Sequence, residues 1–149
     1  MGNAAAQAVA SGALIGWMAM LSIVDIRDRR LPNLLTLPGA VVIVAVATIC
    51  GRGPASLLGA AALAGGYLLV HACAPAALGA GDVKLALGLG ALTGALGAAV
   101  WAVAALGAPL LTAVWGVVVL AVRGDRTVPH GPSMCLATTA AVALAVCAG

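Results

Sequence analysis

The sequence predicts an all-α fold: a polytopic membrane helix bundle of about six transmembrane helices with both termini outside. Three observations carry that class. Of 149 residues, 64% are hydrophobic and 7% charged, with a mean hydropathy of +1.19, and a soluble domain of this length cannot cover such a chain with polar surface. The charged residues gather into short segments that separate long apolar runs. Lys and Arg are distributed unevenly among those segments, as they are in membrane proteins of fixed orientation.

The first apolar run, Ala6–Val24, has no Lys or Arg before it and ends in the charged string DIRDRR. A cleavable signal peptide has the opposite arrangement, so this span is expected to stay in the mature protein. Leu34–Cys50 forms the second span and Ala55–Cys73 the third. From Val83 to Val122 the chain is apolar for about 40 residues, too long for one crossing of a core about 30 Å thick and long enough for two. It divides into Val83–Leu96 and Ala98–Val122, with the turn expected within Thr93–Ala98, where two glycines fall. Ser133–Ala148 is the sixth span. The whole chain, 1–149, reads as a single membrane-embedded domain.

Orientation follows from the basic residues. Arg27, Arg29 and Arg30 follow span one, Lys84 begins span four, and Arg123 and Arg126 follow span five; the opposite side has Arg52 alone. The positive-inside rule then puts the termini outside and the charged segments in the cytoplasm. The four acids, Asp25, Asp28, Asp82 and Asp125, all fall on that side, and the chain has no Glu. Three segments distant in sequence are thus expected to converge at one depth.

Several classes are disfavoured. A net charge of +3, thinly scattered, does not suit nucleic acid. Cys50, Cys73, Cys135 and Cys147 lack CxxC spacing and are expected to be inert buried thiols. No metal and no cofactor is expected. The spacings Gly12/Gly16 and Gly90/Gly94 suit close helix approach, and Pro38, Pro54, Pro75 and Pro109 read as helix ends or kinks.

Two motifs carry chemistry. In SIVDIRDRRLPN, Pro32 disfavours helix at Leu31, so span one should end within Arg27–Arg30 and leave Asp25 in its last turn at the membrane boundary. The helix dipole opposes an acid there. An ionisable group beside the apolar core is a functional candidate by default, whereas Asp28, one step nearer water, suits ion pairing with the neighbouring arginines. In GAGDVK, Gly79, Ala80 and Gly81 read as a flexible loop and Asp82 as the start of span four, where simple helix capping would also account for it. The loop Ala74–Gly81 is expected to be mobile. Lys84 suits either an electrostatic partner for Asp82 or a lysine reaching the interface. Two carboxylates brought close share a proton, and such a pair can activate water and protonate a leaving amine with neither nucleophilic side chain nor metal.

Asp25-x-Arg27-x-Arg29-x-Leu31-Pro32-Asn33 followed by Gly79-x-Gly81-Asp82-x-Lys84 resembles the type IV prepilin peptidases, membrane aspartyl proteases. A third match is Val128–Thr138, with Pro129, Gly131 and Pro132 as the P-x-G-P opening the last helix and His130 where an aromatic residue is usual. The resemblance implies that Asp25 and Asp82 are the catalytic acids. It implies an active site on the cytoplasmic side of a prokaryotic inner membrane, and type IV or Flp-type prepilin precursors as substrates. With no CxxC motif, the chain resembles the short form without an N-terminal methylation domain, similar to peptidases of tad/Flp-type pili or archaeal preflagellin peptidases, and N-methylation is not expected. A small transporter would keep acids near the midplane, often in an internal repeat, and no repeat is visible. A structural membrane subunit would leave the one-sided acids unexplained.

Overall fold

The computed structural model describes residues 2–123 and 128–148; Asp125 and Arg126 lie outside the described residues. Six helices follow one another: α1 Gly2–Asp28, α2 Asn33–Ile49, α3 Gly53–Cys73, α4 Ala80–Leu96, α5 Ala98–Arg123 and α6 Gly131–Ala148. Among the described residues there is no strand. A helix covers each expected segment, though α1 begins four residues early and α3, α4 and α6 two or three. Hydropathy stops where Gly, Pro and charge appear, but a helix runs on to its cap. Pro54 and Pro132 sit in the first turns of α3 and α6, where a missing N–H breaks no helical bond.

The breaks are chemically specific. Arg29 ends α1 in the left-handed region at φ 49°, and Pro32 opens α2 from an extended conformation. Gly97 separates α4 from α5 at φ 129°, a value that a side chain would oppose, and it lies inside the expected turn. Pro38 and Pro109 lie within helices, and Pro75 lies in the connection between α3 and α4.

Among the described residues, three segments are long and apolar enough to cross a membrane by themselves: Gln7–Asp28, Gly53–Cys73 and Ala98–Val122. At 17 residues each, α2 and α4 extend only about 25 Å. Their shortness has a packing counterpart, because α4 is the central helix. It packs against α2, α3, α5 and α6, and Leu85, Ala86, Leu89, Ala91 and Thr93 are almost wholly buried.

Close approach of α3 and α4 depends on glycine. A Cβ on Gly94 would stand 2.7 Å from both the Ala55 carbonyl oxygen and the Gly59 Cα, and one on Gly90 would stand 2.9 Å from the Leu63 Cβ. Gly90/Gly94 therefore does what the spacing suggests. Gly12 and Gly16 do not: nothing lies within 4 Å of a Cβ at either position. Here α1 packs mainly on α6, burying Met18 and Leu21, and reaches α2 and α4 through Trp17, whose indole lies against Gly39 of α2 and Gly88 of α4 and donates from Nε1 to the Leu35 carbonyl at 2.8 Å. Trp101 ties α5 to α3 likewise, donating to the Gly59 carbonyl at 3.0 Å.

At the far end of the bundle, Arg52 donates to the Ala95 carbonyl at 2.9 Å, placing a cation on the C-terminal turn of α4. Several hydroxyl groups within helices satisfy themselves locally, whereas the buried Ser56 and Ser133 hydroxyls have no hydrogen-bond partner among the described residues. Ser22, Thr93, Thr112 and Thr139 each donate to the carbonyl four residues back. The cysteines are not all buried as expected. Only Cys135 is, while Cys50, Cys73 and Cys147 are exposed at helix ends or outward faces, where apolar sequence does not distinguish a core face from an outer one.

Candidate active site

The end of α1, the starts of α2, α4 and α6, and the linker between α1 and α2 all meet at one end of the bundle. The two motifs dock directly. Leu31 is buried against Gly81, where an added Cβ would lie 3.1 Å from the Leu31 Cβ and 3.4 Å from its backbone nitrogen. Lys84 Nζ donates to Asn33 Oδ1 at 2.7 Å, fastening the start of α2 to α4. Lys84 thus has a partner that spacing alone did not suggest. Pro32, outward facing, serves as the N-cap residue of α2.

Gly79, Ala80 and Gly81 are not all loop. Gly79 is the N-cap residue of α4, and Ala80 and Gly81 form its first turn. Asp82 is consequently three residues past the cap, and its Oδ2 accepts the Gly79 N–H at 3.1 Å, the reach-back bond of a capping box. Capping is therefore part of what Asp82 does. A side chain at Gly81 would crowd Leu31. The preceding connection is also tethered, because His71 Nδ1 lies 2.7 Å from the Leu78 carbonyl oxygen. A carbonyl only accepts, so Nδ1 carries the proton.

Asp25 lies one turn before the end of α1, and its Oδ2 accepts the Gly131 N–H of α6 at 3.0 Å. Both carboxylates are buried, at 7% exposure for Asp25 and 8% for Asp82, and both line one cavity of about 320 Å³ with Arg29, Arg30, Leu31, Gly81 and Lys84. They are near enough for their charges to interact. Arg29 interacts electrostatically with Asp25 from the rim. Asp28, by contrast, is exposed.

The third motif joins through its backbone. Gly131 starts α6, Pro132 is buried behind it and Pro129 is half-buried just before it. A Cβ on Gly131 would lie 2.6 Å from Asp25 Oδ2, so only glycine brings that N–H so close. Sequence reasoning missed Tyr67 and Thr112, whose hydroxyls flank the His130 ring at 2.8 Å and 2.6 Å. One signal was present: Tyr67 is the sole tyrosine, and a phenol in an apolar helix needs a polar partner. Burial pushes the His130 imidazole below its ordinary value. Among the described residues, no cluster of His, Cys, Asp and Glu is able to hold a metal ion.

The arrangement offers two carboxylates on one cavity, each oriented by a single backbone N–H. In comparisons with known proteins, the model of the type IV leader peptidase family matches residues 12–122. No curated protein and no solved structure matches the chain.

Proposed function

The chain belongs to the type IV leader peptidase family, and on that premise we propose that it is an aspartic endopeptidase using Asp25 and Asp82 as its acid–base pair. The observation that carries the reading is the placement of these two buried carboxylates on one cavity. In this mechanism the ionised carboxylate takes a proton from a water as it attacks the scissile carbonyl. Its protonated partner donates a hydrogen bond to the developing oxyanion and then a proton to the leaving amine. The Gly131 and Gly79 N–H groups each occupy an Oδ2, which orients the Oδ1 atoms for water and substrate. Pre-set geometry of this kind lowers the entropic cost of the attack.

The substrates of this proposal are type IV or Flp-type prepilin precursors, held by their apolar helix in the lipid bilayer of the prokaryotic inner membrane. The cut falls at the cytoplasmic face, just before that helix. The cavity supports this placement: it lies at helix ends, among Arg29, Arg30 and Lys84, the kind of basic cluster retained in the cytoplasm. No nucleic acid, cofactor or methyl transfer enters the proposal. Co-expression with a candidate precursor tests it, the leader's removal being scored by a gel shift. The parent chain should process the precursor and Asp82→Asn should not; equal processing by both would refute the assignment.

A further inference from the structure

Behind Asp25 lies a polar cluster that the proposed mechanism does not use. His130 directly precedes Gly131; its Nε2 is 2.8 Å from the Tyr67 hydroxyl of α3 and its Nδ1 is 2.6 Å from the Thr112 Oγ1 of α5. Proton accounting links the two bonds. A neutral imidazole donates from one ring nitrogen and accepts at the other, so Tyr67 and Thr112 take opposite roles toward the ring. The Thr112 hydroxyl also lies 3.0 Å from the Ala108 carbonyl, to which it donates when Nδ1 carries the ring proton. The rings of Tyr67 and His130 also pack together, with centroids 5.5 Å apart.

Gly131 has no side chain with which to anchor itself, and a Cβ there would strike Asp25. Its position must be set by its neighbours. We propose that His130 is a positioning residue: its ring ties α3 and α5 to the first turn of α6 and thereby holds the Gly131 N–H on the Asp25 carboxylate. The inference rests on the reading of Asp25 as half of the proteolytic pair for its functional meaning, but the tether itself is measurable without proteolysis.

The test uses the full chain in detergent micelles, with Tyr67→Phe, Thr112→Val and Thr112→Ser. Amide hydrogen exchange is followed at Gly131 and, as an internal reference, at Ala137 of the same helix; kcat and KM are measured on a precursor peptide. Tyr67→Phe and Thr112→Val should each speed exchange at Gly131 by about two- to tenfold, the worth of one net hydrogen bond, and leave Ala137 unchanged. kcat should fall by a similar factor, with KM within about twofold. Thr112→Ser should restore both. The double variant should lose little more than the worse single one, because both act through one ring.

Exchange at Gly131 that is unchanged in both variants would overturn the proposal, as would loss that spreads equally to Ala137. Should the parent chain fail to cleave, the proteolytic reading fails while the exchange measurement still decides the tether. Should it cleave and the variants exchange like the parent, only the tether is wrong.

Discussion

The Gly131 N–H donates to Asp25 Oδ2 over 3.0 Å, joining the first residue of α6 to the last turn of α1 across 106 residues of sequence. An alanine at this position would put a methyl carbon 2.6 Å from the acceptor oxygen. Gly131→Ala should therefore displace Asp25 and lower cleavage by about 10²-fold, the lower bound for losing an acid–base group. Melting should change much less, and a precursor assay run beside a thermal melt checks both. Parent-level cleavage would mean that this bond does not position the carboxylate.

Lys84 and Asn33 form one bond between α4 and α2. Lys84→Met and Asn33→Ala should each slow cleavage by about two- to tenfold, and the double variant should be no slower than the worse single one. Additive losses in this double-mutant cycle would show that the two side chains act separately.

Glycine is required where helices touch and dispensable where they do not. Gly59→Val faces the backbone of Gly90 and Gly94 and should destabilise the bundle by about 1–3 kcal/mol, the usual cost of overpacking. Gly16→Ala points into open space and should leave melting unchanged or raise it slightly, as alanine favours helix. The two melts compared directly test the packing of α3 on α4.

Burial lowers the affinity of His130 for a proton, so the folded state binds fewer protons than the unfolded state. Stability contributed by the neutral ring is complete above the ordinary histidine value of 6.5. It is lost as pH falls below that value toward the depressed one. Between about pH 7 and pH 5, the melting temperature of the parent should drop more than that of His130→Phe, which has no such proton to gain. Parallel pH profiles would contradict the buried neutral imidazole.

Much of this architecture was legible in the sequence because membrane spans are written in one dimension. The six apolar runs, the break near Gly97 and the end of α1 before Pro32 all follow from local rules. That Asp25 and Asp82 share one side follows from charge asymmetry and their pairing from the family resemblance, and both line one cavity in the structure. What remained hidden depends on which helix face meets which neighbour. Gly12/Gly16 and Gly90/Gly94 have the same spacing, yet only the second is an interface, because α1 packs through the face that carries Met18 and Leu21 and through Trp17. Gly81 reads as loop in the sequence and lies in the first turn of α4, against Leu31. Tyr67, Thr112 and His130 lie in three separate segments and share no spacing, so only the fold reveals them as a cluster.

The most direct test of the paired carboxylates is the cleavage of a prepilin-type precursor by purified protein in lipid vesicles, with the cut mapped by mass spectrometry. Asp25, Asp28 and Asp82 are each replaced by Asn. The account predicts cleavage between the basic leader and the apolar helix by the parent and by Asp28→Asn at similar rates. It predicts losses of about 10²- to 10⁴-fold for Asp25→Asn and for Asp82→Asn, with insertion intact. Full-rate cleavage by either of those two variants, or a cut near the middle of the precursor's transmembrane helix, would contradict it.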